Sequence, residues 1–203
     1  MATDPDGRGW TLLISIDTSA GTSVAIFRGS QLLAAASFDD PFGHAENIGK
    51  AIASALADAK VSTSDLTAVV VGRGPAPYTG LRVGVAAAQL LARSLGLPLH
   101  GVMVLDAIAH GSSGKVLVRT DAKRRELFVA RYQDGIRQSG PEVVSPESLE
   151  TDGYQVLVGP ADAVSVGNFA LAQLALGADL SDSSAIYLRS PDVSPSRGKR
   201  VSG

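Results

Sequence analysis

Gly72-Arg73-Gly74-Pro75-Ala76-Pro77-Tyr78-Thr79-Gly80-Leu81-Arg82-Val83-Gly84 is the stretch best equipped for binding chemistry. The β-branched run Val69-Val70-Val71 enters it and an apolar helical pattern leaves it. Glycine and proline there turn a strand sharply into a helix, whose free N–H groups can face an anion. The plainer reading is a tight strand-to-helix turn without a ligand. Asp17-Thr18-Ser19 follows the first apolar run. It can form a turn in which Asp17 accepts N–H groups, or supply a carboxylate and two hydroxyls to a nucleotide phosphate. No Gly-Lys-Ser/Thr occurs, so there is no Walker loop. His44, His100 and His110 lack the three- or four-residue spacing of helical metal ligands, so no intrinsic metal site is expected. The absence of cysteine excludes thiolate catalysis and disulfides. No Ser-His-Asp set is evident, which ranks a peptidase last. Lys123-Arg124-Arg125 is either a solvated basic turn or a contact for phosphates.

The elements that must carry these residues follow from periodicity. Strands are predicted over 11–16, 23–27 and 31–38, as an antiparallel meander with short turns. A helix over 44–60 has Ile48, Ile52, Ala55, Leu56 and Ala59 on one face. After the strand 69–71, Thr79 is the predicted N-cap of a helix reaching Leu95. That helix is apolar nearly all round, which predicts burial on all sides, some of it against a partner chain. Gly80, Gly84, Ala88 and Ala92 form a small-residue ridge on it, and Gly49 and Ala53 lie four apart on the preceding helix. Such ridges allow close helix approach, either onto the chain's own sheet or onto another subunit.

Strands are predicted next at 97–102, 115–120, 127–132 and 155–158, with short helices at 103–110, after Ser145-Pro146, and over 168–176. Ile186 to Arg189 reads as a last extended segment. No internal repeat is visible. The predicted organisation is a disordered 1–10, a first lobe over 11–110, a smaller lobe over 111–191 and a disordered tail over 192–203.

The 203 residues are 45% apolar and 5% aromatic, so the core must be built from Ala, Val, Leu and Ile. A formal net charge of −2 argues against binding nucleic acid alone by phosphate neutralisation. No run approaches the roughly 20 apolar residues of a membrane span, and no secretory leader is recognised, so a cytoplasmic location is expected.

The sequence resembles the TsaB (YeaZ) family. The resemblance is carried by Leu13 to Ser19, by His44-Ala45-Glu46, by the Gly72–Gly84 loop, by Asp121-Ala122-Lys123-Arg124-Arg125-Glu126 and by Tyr187-Leu188-Arg189-Ser190-Pro191. Ala76-Pro77 replaces the family's Gly-Ser pair, and Tyr78 its Phe; Pro77 removes one backbone donor from any phosphate cradle. The resemblance implies an α/β fold, actin-like and ribonuclease-H-like, in two lobes of mixed sheets flanked by helices. It also implies a non-catalytic partner in making threonylcarbamoyladenosine on tRNA, beside the anticodon. The catalyst would be a metal-carrying TsaD-type paralogue, with a TsaE-type ATPase bound to the pair.

Carried onto this chain, the partner or homodimer face comprises His44, Ile48, Gly49, Ile52, Ala53, Gly80, Arg82, Val83, Gly84, Ala87, Ala88 and Leu91. Candidate nucleotide or phosphate contacts are Asp17, Thr18, Ser19, Arg73, Gly74 and Thr79. Candidate tRNA contacts are Lys123, Arg124 and Arg125. No cofactor is expected on the chain itself, with ATP or ADP at the interface of the complex. The alternative is an independent ATPase or kinase on the same fold, which would need a glycine-rich adenosine loop that Gly153 to Gly159 and Gly177 are too sparse to make.

Overall fold

The computed structural model describes residues 12–40 and 43–188. Strand β1 (Leu12–Asp17) is buried at all six positions. It pairs antiparallel with β2 (Thr22–Arg28), which pairs antiparallel with β3 (Gln31–Phe38). After helix α1 (His44–Ala59), strand β4 (Ala68–Gly72) returns parallel to β1. After helix α2 (Tyr78–Leu95), strand β5 (Leu99–Val102) adds parallel to β4. The sheet order β3-β2-β1-β4-β5 is the ribonuclease-H-like arrangement that the resemblance implied.

Helices cover both faces of this sheet, which is why β1 and β4 read as continuous apolar runs. Leu12, Ile14, Ile16, Val69 and Val71 pack with Ala51, Ala55, Leu81 and Val85 of α1 and α2. Leu13, Ala25, Phe27 and Val70 pack on the opposite face with α3 (Val104–Ala109) and α4 (Ala163–Ala175).

The second sheet has the order β8-β7-β6-β9, from β6 (Lys115–Asp121), β7 (Leu127–Gln133), β8 (Ile136–Val144) and β9 (Gln155–Val158). Its meander is antiparallel and β9 runs parallel to β6, so it repeats the arrangement of β1 to β4. The side chains of Val116, Val118, Phe128, Ala130 and Tyr132 meet Leu105 and Ala109. In place of a counterpart to α1, β8 and β9 are joined by a loop with a single 3-10 turn, Pro146–Ser148.

Several expectations change. Strand β8 was not predicted; its residues Ile136 to Gly140 are open to solvent and carry no clean alternation. Helix α4 begins at Ala163 rather than Asn168, because Asp162 caps it: its carboxylate accepts from the Ser165 amide at 2.7 Å and the Ser165 hydroxyl answers the Asp162 amide. Although it follows β9, this helix packs on the first sheet. Ser145 does cap a helical turn, but the turn stops after three residues. The predicted disordered ends, 1–10 and 192–203, lie outside the described residues. Among the described residues no helix is long and apolar enough to cross a membrane.

Candidate functional site

The Gly72–Gly84 loop joins β4 to α2. Gly74 turns it with φ +87°, and a side chain there would meet Leu81 and the Ile186 carbonyl. Pro77, held at φ −54° and ψ 137°, is the N-cap. Thr79 therefore lies inside the first turn and is not the cap. The proline ring sets the entry angle, and no side chain caps the helix.

Helix α2 is buried on one side only, which corrects the expectation of burial all round. Gly80, Leu81, Gly84, Val85, Ala88 and Ala92 are buried, whereas Arg82, Ala86, Gln89 and Leu90 are exposed. The small-residue ridge faces inward. Thr18 donates its hydroxyl to the Gly80 carbonyl at 2.9 Å, and a Cβ at Gly84 would collide with the same hydroxyl. A Cβ at Gly80 would stand 2.6 Å from His44 Nε2. His44 Nδ1 lies 3.1 Å from the Thr22 hydroxyl. Thr18, Thr22, His44, Gly80 and Gly84 thus knit the β1–β2 turn, α1 and α2 together.

Four of the predicted interface residues, His44, Gly80, Gly84 and Ala88, are spent on contacts within the chain. The other eight reach the surface. Gly49, Ala53 and Arg82 are exposed, and Ile48, Ile52, Val83, Ala87 and Leu91 are half-buried. Leu90 joins them at 71% exposure. A Cβ at Gly49 would meet nothing within 4 Å.

The predicted nucleotide contacts divide between two sides of β4. On the β1 side, Asp17 is buried against Gly72. One carboxylate oxygen accepts from the Ser19 amide and hydroxyl, at 3.0 and 2.7 Å, and the other has no partner among the described residues. Burial raises its pKa to about 6, against the lowering effect of the two Ser19 bonds. On the β5 side, the Arg73 guanidinium pairs with Asp182 and donates to the Ser184 carbonyl. The Asp182 carboxyl is held down at about 2, first by the Ser184 hydroxyl and amide and then by Arg73. Gly74 is buried and Thr79 exposed. Among the described residues, no group of three His, Asp or Glu side chains converges as metal ligands would.

Lys123, Arg124 and Arg125 form the β6–β7 turn with φ of +62°, +57° and +60°. Three successive non-glycine residues in the left-handed region cost about 1–2 kcal/mol each. Asp121 offsets part of this by accepting from the Lys123 amide at 2.7 Å and from its ammonium at 2.9 Å. Arg124 is also engaged.

Two features escaped the sequence reading. Residues 178–188 form an extended strap over the edge of β5 and the loop: the Gly101 amide donates to the Leu180 carbonyl at 2.8 Å, and the Ile186 amide to the Arg73 carbonyl at 2.7 Å. The Tyr-Leu-Arg motif marked its end, but nothing local marked its path. At the lobe junction, half-buried Asp106 accepts from Tyr132 at 2.9 Å and pairs with Arg137 at 3.2 Å. An open depression of about 510 Å³ lies at this junction, lined by Asp106, Arg137, Phe169 and Gln173, and another of about 570 Å³ lies on the second lobe beside Arg131 and Tyr154.

A family model described as TsaD: tRNA N6-adenosine threonylcarbamoyltransferase matches residues 42–184. Uncharacterized proteins of Mycobacterium tuberculosis and Mycobacterium leprae are each 40% identical over 77% of this chain, which covers 80% and 47% of their lengths. The Escherichia coli protein named tRNA threonylcarbamoyladenosine biosynthesis protein TsaB is 32% identical over 59% of this chain and 58% of its own length. The fold is that of YeaZ from Pseudomonas aeruginosa, with a TM-score of 0.74 at 21% identity over 88% of this chain and 100% of that one. The chain belongs to the TsaB (YeaZ) family.

Proposed function

We propose that this chain is a non-catalytic subunit in threonylcarbamoylation of the tRNA adenosine beside the anticodon. It binds and activates a TsaD-type catalytic paralogue, and a TsaE-type ATPase engages the pair. The observation that carries this reading is the outer face of α1 and α2. Gly49, Ala53, Ala86, Ala87 and Leu90 leave small and apolar surface open there, held in place from below by the Thr18–His44–Gly80–Gly84 contacts. Docking onto such a face buries apolar area with little side-chain entropy to lose. The same face serves a homodimer when the partner is absent. ATP or ADP is taken at the interface of the assembled complex, and tRNA reaches this chain through the complex, with Lys123, Arg124 and Arg125 as its contacts. The assembly works in the cytoplasm.

The test is reconstituted modification of tRNA with the TsaD-type and TsaE-type proteins and the enzyme that makes threonylcarbamoyl-adenylate. Product is counted by mass spectrometry with and without this chain. The expected result is loss of product on omission, restored by wild type and not by Leu90→Arg. Leu90 is chosen because its side chain is in solvent; a large residue at Gly84 would break the fold instead. Unchanged product on omission sinks the reading and leaves an independent ATP-dependent activity to be tested.

A further inference from the structure

Tyr78 and Tyr187 are the two tyrosines among the exposed large apolar residues, at 36% and 44%. They lie 109 positions apart and stack on each other, centroids 4.8 Å apart at 40°. The Arg82 guanidinium sits 5.0 Å over the Tyr78 ring and donates to its hydroxyl at 2.8 Å. Among the described residues, Arg82 has no carboxylate partner.

The strap explains how Tyr187 comes to be there. In an extended segment successive side chains point to opposite sides. Ile186 and Leu188 turn inward and pack on the core shared by α3 and the second sheet. Leu180 and Ala185 pack on the two cores of the first lobe. Tyr187 is left pointing outward, where its ring meets Tyr78 rather than the interior. The Arg73–Asp182 pair and the Ile186–Arg73 backbone bond fix the strap just before it. The core residues already anchor the strap, so an outward tyrosine adds little to folding. Exposed tyrosine beside an arginine with free donors is instead the composition of a protein–protein anchor.

We infer that Tyr78, Arg82 and Tyr187 form one anchor for a carboxylate-bearing segment of the catalytic partner, and that the strap makes the docking face composite. This rests on the reading that α1 and α2 meet that partner, since Arg82 belongs to the same helix face. The two rings supply a rigid apolar wall and hold the guanidinium, which keeps N–H donors free for a bidentate carboxylate. Asp182 is a positioning residue that acts through Arg73 and the strap.

The experiment measures the affinity of the full chain for the purified TsaD-type protein, at low and moderate salt, for wild type, Leu90→Arg, Arg82→Gln, Tyr187→Ala, Tyr187→Phe and Asp182→Asn. Thermal unfolding of each variant is recorded alongside. Arg82→Gln and Tyr187→Ala are each expected to weaken binding about tenfold. Arg82→Gln also flattens the salt dependence, a change that loss of packing alone does not produce. Tyr187→Phe keeps wild-type affinity, and Asp182→Asn weakens binding about threefold with little change in unfolding. Loss of binding in Leu90→Arg with wild-type affinity in Arg82→Gln and Tyr187→Ala overturns the anchor and leaves the helix-face reading standing. Full binding by Leu90→Arg, or none by wild type, overturns that reading and the anchor with it. Unchanged protein affinity with weakened crosslinking of Tyr187→Ala to tRNA also overturns the anchor, in favour of a nucleic-acid contact.

Discussion

Asp17 and Asp121 hold the same topological place in the two sheets, at the ends of β1 and β6. Each accepts a bond from the amide two residues on, Ser19 at 3.0 Å and Lys123 at 2.7 Å. Their surroundings are opposite. Asp17 is buried between two helix-covered faces, and burial lifts its carboxyl to about 6. Asp121 is exposed, and its bonds to Lys123 lower its carboxyl. The strands alone therefore do not set the chemistry of the position. The covering layer does: Asp17 lies on the Leu13 face of the first sheet, where Val104 of α3 and helix α4 pack, whereas Asp121 ends β6 at an open turn.

The largest expected effect tests that difference directly. Leu13 and Leu117 are both fully buried in the first strands of their sheets. Leu13 packs with α4, while Leu117 lies outside the cluster in which Val116 and Val118 pack on α3. Leu13→Ala is expected to cost about 4 kcal/mol and Leu117→Ala about 2, because a cavity held open between a sheet and a packed helix relaxes less than one outside such a cluster. Urea unfolding checks both, and equal costs would break the comparison.

Gly84→Val is expected to cost about 3 kcal/mol, since its side chain must displace Thr18 from the α2 ridge. A melting curve near wild type would show that the β1–β2 turn can move away.

The two aspartates sharpen the contrast with opposite signs. The folded pKa of Asp17 is raised, so its contribution to stability is fully present below about 4 and is lost as pH rises through about 6. Asp17→Asn is expected to stabilise the chain by about 2 kcal/mol at pH 7, with the gain vanishing towards pH 4. Asp121, lowered, contributes above its unfolded pKa and loses that contribution as pH falls. Asp121→Asn is expected to destabilise slightly at pH 7, by less than about 1 kcal/mol for so exposed a group. Unfolding measured at pH 4, 5, 6 and 7 separates the two, and a shared sign would refute the comparison.

The smallest effect is a gain. Gly49→Ala is expected to stabilise the isolated chain by about 1 kcal/mol, since helix α1 accepts the methyl group without a contact. The added Cβ also intrudes on the proposed docking face, so weaker partner binding by a more stable chain would separate the roles of Gly49 and Gly84.

Local pattern was enough for the first three strands, for α1, and for the loop into α2, whereas the left-handed stop at Lys60 showed only in the structure. Period and turn chemistry act over a few residues, and these elements are strongly periodic. Strand β8 escaped because its first half is solvated and gains its pairing only from β7. The repeated topology escaped because a sheet order can recur on unrelated side chains. The face of α2 was ambiguous because the helix is apolar nearly all round; which side is buried was decided by Thr18 and His44, distant in sequence.

Composition and spacing by themselves determined a chain of alternating strands and helices with a glycine-proline strand-to-helix junction, no thiol chemistry and no helical pair of histidine ligands, and the resemblance of its motifs pointed to the family. Those properties depend on residue identity and short separations. Tertiary structure alone decided that the small ridge of α2 faces inward, that α4 crosses back to the first sheet, that Asp17 is buried while Asp121 is not, and that Tyr187 is carried back to Tyr78 and Arg82. Each depends on which surfaces meet across long stretches of chain, and burial and electrostatics are properties of that meeting.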